Sequence, residues 1–128
     1  AKQFADNLTI DCRMVAATRP GAKASAVFQT GVAAYRELGY GEEWRNHHQG
    51  GRMGYYARDI KVTEATPDII EVNQAFCWNP SIAGTKIEDG FLVTNSGPQF
   101  ITNPVIYPKI EVETDGFRMV RPGLLVLD

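Results

Sequence analysis

Apolar residues recur at helical spacing over residues 3–18, where Phe4, Leu8, Cys12 and Val15 line one side with Met14 beside them. That period predicts an amphipathic helix. Arg19-Pro20-Gly21 ends it, because the residue before a proline is pushed out of the helical region. A second helix is predicted over residues 24–38, with Val27, Phe28, Gly31, Val32, Tyr35 and Leu38 as its apolar face and Gly39 placed to close it. Two amphipathic helices need a surface to cover, and a sheet is the natural one. The period then changes. Ile69, Ile70 and Val72 are β-branched, and Gln74 to Trp78 is apolar and aromatic until Asn79-Pro80 stops it. Lys86 to Thr94 alternates, with Ile87, Asp89, Phe91 and Val93 on one side. Asn95-Ser96-Gly97 predicts a hairpin turn, with residues 99–102 returning. The proline-punctuated tail turns at Asp115-Gly116 and is expected to close on an apolar strand over residues 124–127. Helices first and strands afterwards argue an α+β fold, with the helices on one face of a mainly antiparallel sheet.

Composition narrows the classes. At 128 residues the chain is expected to form a single domain, 1–128, around one core. A net charge of −2 gives no field to gather nucleic acid, and no apolar run reaches membrane-spanning length. The chain opens on Ala1 rather than methionine and shows no basic-then-apolar leader, so an N-terminus cut from something longer is expected. Cys12 and Cys77 match no metal spacing; two free buried thiols and a cytoplasmic location are the expectation.

Between the helices and the strands the character is different. Glycine recurs at 41, 50, 51 and 54, around His47-His48-Gln49. Such glycines let backbone pass close to a site or to another strand. Gly50-Gly51-x-x-Gly54 is a weak phosphate-loop signal, with no lysine at the required place. Histidines together with the Glu88-Asp89 pair are the donor types a divalent metal uses. Asp6 and Asp11 fall in the first helix and are expected to be solvated or near caps.

These motifs, in this order, resemble the C-terminal part of the pita-bread-fold metallopeptidases, the family of methionine aminopeptidases, Xaa-Pro dipeptidases and aminopeptidases, and creatinase. The Xaa-Pro dipeptidase-like members are the nearest in pattern. Arg19-Pro20-Gly21 resembles the Pro-Gly between the family's two helices, and His47-His48-Gln49-Gly50 falls where the family has Gly-His-Gly-x-Gly. Trp78-Asn79-Pro80 stands at its Ile-Glu-Pro, and Gly84-Thr85-Lys86-Ile87-Glu88-Asp89 at its Gly-x-Arg-Ile-Glu-Asp. The order and spacing hold from about Ala1 to Thr102.

The resemblance implies two N-terminal helices on a curved sheet, part of the pita-bread fold. It also implies a divalent metal (Mn, Co or Zn) in a full-length parent that hydrolyses the peptide bond before proline. His48, Glu88 and Asn79 would stand at metal positions, with His47 and Tyr55 as catalytic contacts. Three departures accompany it. Nothing corresponds to the two aspartates that the family draws from an earlier hairpin. Asn79 replaces a glutamate ligand, and a neutral amide is a poorer partner for a dication. Tyr55 stands near the place of a second histidine, and a phenol with a pKa near 10 is a poor proton shuttle at neutral pH. The alternative is therefore an inactive relative that binds a peptide or small molecule in the same pocket. The chain alone is expected to bind metal weakly or not at all and to be inactive. A homodimer is expected, formed over an open sheet edge and over apolar surface at Phe76, Trp78, Phe91 and Val93. A tail folding back over that edge is the competing expectation.

Overall fold

The computed structural model describes residues 1–128 and opens with both predicted helices, α1 over Lys2–Ala17 and α2 over Ala24–Glu37. At the end of α1 the Thr18 hydroxyl donates back to the Met14 carbonyl at 2.7 Å. α2 stops at Gly39, whose φ of 88° is left-handed and favours glycine. There the Gly39 N–H donates to the Arg36 carbonyl and the Tyr40 N–H to the Tyr35 carbonyl, the paired bonds that close a helix C-terminus. The apolar stripes are buried as their spacing requires: Leu8, Cys12, Met14 and Val15 on α1, and Val27, Phe28, Val32 and Tyr35 on α2.

A 3-10 turn, Glu43–Asn46, leads into the strands: β1 (Gly50–Met53), β2 (Ile60–Lys61), β3 (Ala75–Trp78), β4 (Ser81–Ile82), β5 (Thr85–Lys86), β6 (Asp89–Thr94), β7 (Gly97–Phe100), β8 (Lys109–Thr114) and β9 (Phe117–Pro122). All pairs are antiparallel. β2-β1-β3-β6-β7 form one sheet, while β4-β5 and β8-β9 are separate hairpins. The helices cover the face that carries Phe76, Trp78, Phe91 and Val93, all within the core. Trp78 is wholly buried, and its indole N–H donates to Thr18 Oγ1 at 2.9 Å, which ties β3 to the end of α1. Burying one such side chain contributes about 1.5–3 kcal/mol. No helix is long and apolar enough to cross a membrane.

Several expectations change. Phe76, Trp78, Phe91 and Val93 are no open interface, because α1 and α2 already cover them. Residues 69–72 form no strand. Ile69 makes a single bridge to Lys23, while Ile70 exchanges backbone bonds with Gly21 and Ala22 and buries its side chain. The alternating run 86–94 is two strands, because β5 pairs with β4 whereas β6 pairs with β3. Leu124 to Leu127 are exposed and unpaired rather than a closing strand. The tail does fold back, since Phe117 of β9 packs against Gly97 of β7 and Arg121 reaches into the core. Asp11 is not solvated: it is 1% exposed and pairs with Arg121 at 2.6 Å.

Candidate functional site

Backbone register gathers most of the predicted residues. Gly50 stands opposite Trp78, and Trp78 opposite Asp89. One residue further out, the Asn79 N–H donates to the Gln49 carbonyl at 3.0 Å, and Glu88 precedes β6. His48, Asn79 and Glu88 thus lie at one end of the adjacent strands β1, β3 and β6. β1 passes so close to β3 that a Cβ on Gly50, at φ 102°, would meet the Cys77 carbonyl oxygen at 2.2 Å. The glycine density therefore serves backbone contact between strands.

A buried network sets the approach to this end. Gln49 is 1% exposed; its amide donates to the Trp44 carbonyl at 2.9 Å, and its Oε1 accepts from the Tyr35 hydroxyl at 3.0 Å. That hydroxyl also accepts from the Ser81 N–H at 2.8 Å. The two histidines that precede Gln49 are held by backbone. His47 Nδ1 faces the His48 carbonyl, and its Nε2 is buried without a partner. His48 Nδ1 accepts the Gly50 N–H at 3.1 Å. An Nδ1 that accepts a hydrogen bond is unprotonated, so in the neutral ring Nε2 carries the hydrogen.

Each oxygen of Glu88 has a cationic partner. Arg58 donates to Oε1 at 2.7 Å, and Lys86 lies 2.8 Å from Oε2. The Lys86 hydrogen bond, with help from Arg58, holds the carboxyl below its ordinary pKa despite partial burial. Burial lowers the His48 pKa, and the nearby charges of Lys61, Arg58, His47 and Lys86 lower it further. The Cys77 thiol, 3.9 Å from Glu88 Oε1, is pushed up to about 11 by burial and stays neutral. Tyr55 is 94% exposed on the loop between β1 and β2, stacked edge-on with Tyr56.

The residues present do not fit a divalent metal. No three His, Cys, Asp or Glu side chains converge on one point. The free nitrogen of neutral His48 carries a hydrogen, both Glu88 oxygens are engaged, and Asn79 offers one buried amide oxygen that has no partner. The nearest charges are cationic, which raises the cost of adding a dication. Sequence reasoning missed Arg58. It lies in the polar stretch after the Tyr-Tyr pair, and its partner is 30 residues away; no local pattern marks such a contact.

Beside this end runs an open groove of about 770 Å³, lined by Glu88, Lys86, Val105, Ile106, Tyr107 and Leu124 among others.

No protein-family model matches the chain, and no curated protein does. Solved structures do. The Xaa-Pro dipeptidase from Bacillus anthracis superposes with a TM-score of 0.70 at 23% identity, over 81% of this chain and 31% of that one. The dipeptidase PepE from Mycobacterium ulcerans gives 0.70 at 22% identity, over 82% and 30%. The prolidase from Pyrococcus furiosus gives 0.68 at 20%, over 81% and 32%. The chain spans about a third of the length of each of these relatives. Two helices on an antiparallel sheet, matched over four-fifths of the chain, are the C-terminal part of the pita-bread fold that the sequence resembles.

Proposed function

We propose that this chain is a binding relative of the Xaa-Pro dipeptidases that holds a peptide or small molecule at the strand-end site without hydrolysing it. One observation carries the reading: the carboxylate of Glu88, which would bridge metal ions in a peptidase, has both oxygens taken by Arg58 and Lys86. The groove beside it offers apolar and charged walls together, the usual make-up of a ligand site. Residues 1–128 act as one domain in this reading. The buried free thiols Cys12 and Cys77 support a reducing, cytoplasmic setting.

The test is to add an Xaa-Pro dipeptide with manganese, cobalt or zinc and to follow both backbone amide shifts and released proline. Shifts confined to residues around His47, His48 and Glu88, with no proline released, are expected. Metal-dependent release that is lost in both His48→Ala and Glu88→Ala would replace this reading with a peptidase.

That second reading has its own support, the gathering of His48, Asn79 and Glu88 at one sheet end. In it a longer protein supplies further carboxylates, His48, Glu88 and Asn79 hold the metal, and His47 and Tyr55 contact the peptide. Assembly is part of the proposal as well. Exposed Val126 and Leu127, which lie outside the groove lining, would bury against a second copy. Light scattering that finds only monomer across micromolar concentrations would end that part of it.

A further inference from the structure

We propose that Arg58, with Lys86, takes the electrostatic place of a divalent metal at the strand-end site, so that Glu88 is compensated from within the chain. The inference rests on the ligand-binding reading and specifies its charge. The charge of Glu88 at the head of β6 can be compensated in two ways. A dication would do so by coordination; here a guanidinium does so at 2.7 Å and an ammonium at 2.8 Å. Arg58 is no loose surface contact, since its side chain is only 10% exposed.

The loop that carries Arg58 is tied down at several points. The Asp59 N–H donates to the Arg52 carbonyl at 2.9 Å, the Tyr56 N–H to Asp59 Oδ1 at 3.2 Å, and the Gly54 N–H to the Tyr56 carbonyl at 3.1 Å. Arg58 NH1 donates to the Ala57 carbonyl at 2.7 Å, which fixes the plane of the guanidinium. Asn79 fits the same balance. A neutral amide adds no second carboxylate, whereas a glutamate there would call for further positive charge.

The test compares the wild type with Arg58→Met/Asn79→Glu, which removes the guanidinium and restores a third donor beside His48 and Glu88. Zinc, manganese and cobalt are titrated by calorimetry, with near-ultraviolet circular dichroism as the folding check. The wild type is expected to show no saturable binding at millimolar metal. The double variant should bind at least about tenfold more tightly, the scale on which groups around a metal act. Arg58→Lys keeps the charge and should stay like the wild type. If the double variant does not fold, Arg58→Gln serves with a melting readout: zinc should raise its midpoint and leave the wild type unmoved. Stoichiometric wild-type binding that is lost on His48→Ala would overturn both this inference and the ligand-binding reading. Folded Arg58 variants that bind no better than the wild type would overturn the role of Arg58 alone.

Discussion

Glu88 and Asp89 are neighbours in sequence, yet they serve opposite faces of one sheet, each with its own arginine. Glu88 opens on the site, where Arg58 and Lys86 hold it near solvent. Asp89 turns toward the helices and accepts from Arg121 at 3.0 Å and from the Thr102 hydroxyl at 2.8 Å. Arg121 is wholly buried; it also pairs with Asp11 and lies over the Phe100 ring at 4.6 Å from its centroid. The core cluster joins α1, β6 and β9, so it fastens the tail hairpin to the body of the fold. The two pairs have the same chemistry but different surroundings. In the core the ion pair offsets a large desolvation cost and its value is architectural. On the open face Glu88 stays partly solvated, so the pair costs less to desolvate, and in the reading proposed above it sets the charge of a pocket.

The largest expected effect follows from that contrast. Arg121→Ala removes one partner of a buried ion cluster and leaves Asp11 and Asp89 facing the core. Breaking such a pair costs about 3–5 kcal/mol, a large share of the roughly 5–15 kcal/mol that holds a domain. Urea denaturation should show it. Arg121→Met with Asp11→Leu should recover a good part of the loss, since apolar residues of similar volume often replace a buried pair without penalty. A loss below about 1 kcal/mol for Arg121→Ala, the size of an exposed pair, would mean that the tail is held by its apolar contacts and that the two arginines do not differ as described.

Arg58→Met should cost less, about 1 kcal/mol, because Glu88 is 41% exposed and keeps Lys86. The loss should shrink as salt is added, whereas the Arg121 effect should barely change. Equal salt sensitivity of the two variants in parallel melts would erase the distinction between the faces.

Most of the frame was legible because it depends on local period. The 3.6-residue stripes gave both helices within a residue or two, and Gly39 closed the second as its position required. Asn95-Ser96 and Asp115-Gly116 gave the β6-β7 and β8-β9 hairpins. What failed depends on long-range partners. The alternation through residues 86–94 hides a change of neighbour, from β4 to β3, that falls at Ile87-Glu88. Asp11 looks like any polar residue on a helix until Arg121 arrives from the far end of the chain. Leu124 to Leu127 have strand composition but no strand beside them to pair with. The site followed the same rule. Motif order points to His48, Asn79 and Glu88, which the register brings to one sheet end, but not to Arg58, because the Arg58–Glu88 contact exists only after β1, β3 and β6 are assembled.

The smallest effect is in pH, and its sign separates the faces. The Lys86 hydrogen bond, then Arg58, holds Glu88 below its ordinary 4.5. A carboxyl with a depressed folded pKa contributes stability that is present above its unfolded value, about 4.3, and lost as pH falls through the folded value. Asp11 goes the other way. Burial raises it above its ordinary 3.8 against the pull of Arg121. The cluster it belongs to holds two carboxylates for one guanidinium, so a proton is welcome there. For Asp11 the folded chain takes the proton first, and acid adds stability as pH falls from the raised folded value toward the unfolded one. Melting midpoints of the wild type, Glu88→Gln and Asp11→Asn between pH 7 and pH 3 would show both signs. The deficit of Glu88→Gln should be full at pH 7 and fade at the acid end. The stability of the wild type relative to Asp11→Asn should instead grow as the pH falls. Parallel curves for the two variants would show that both carboxylates sit in one electrostatic environment, which would remove the difference between the face that builds the fold and the face that carries the proposed site.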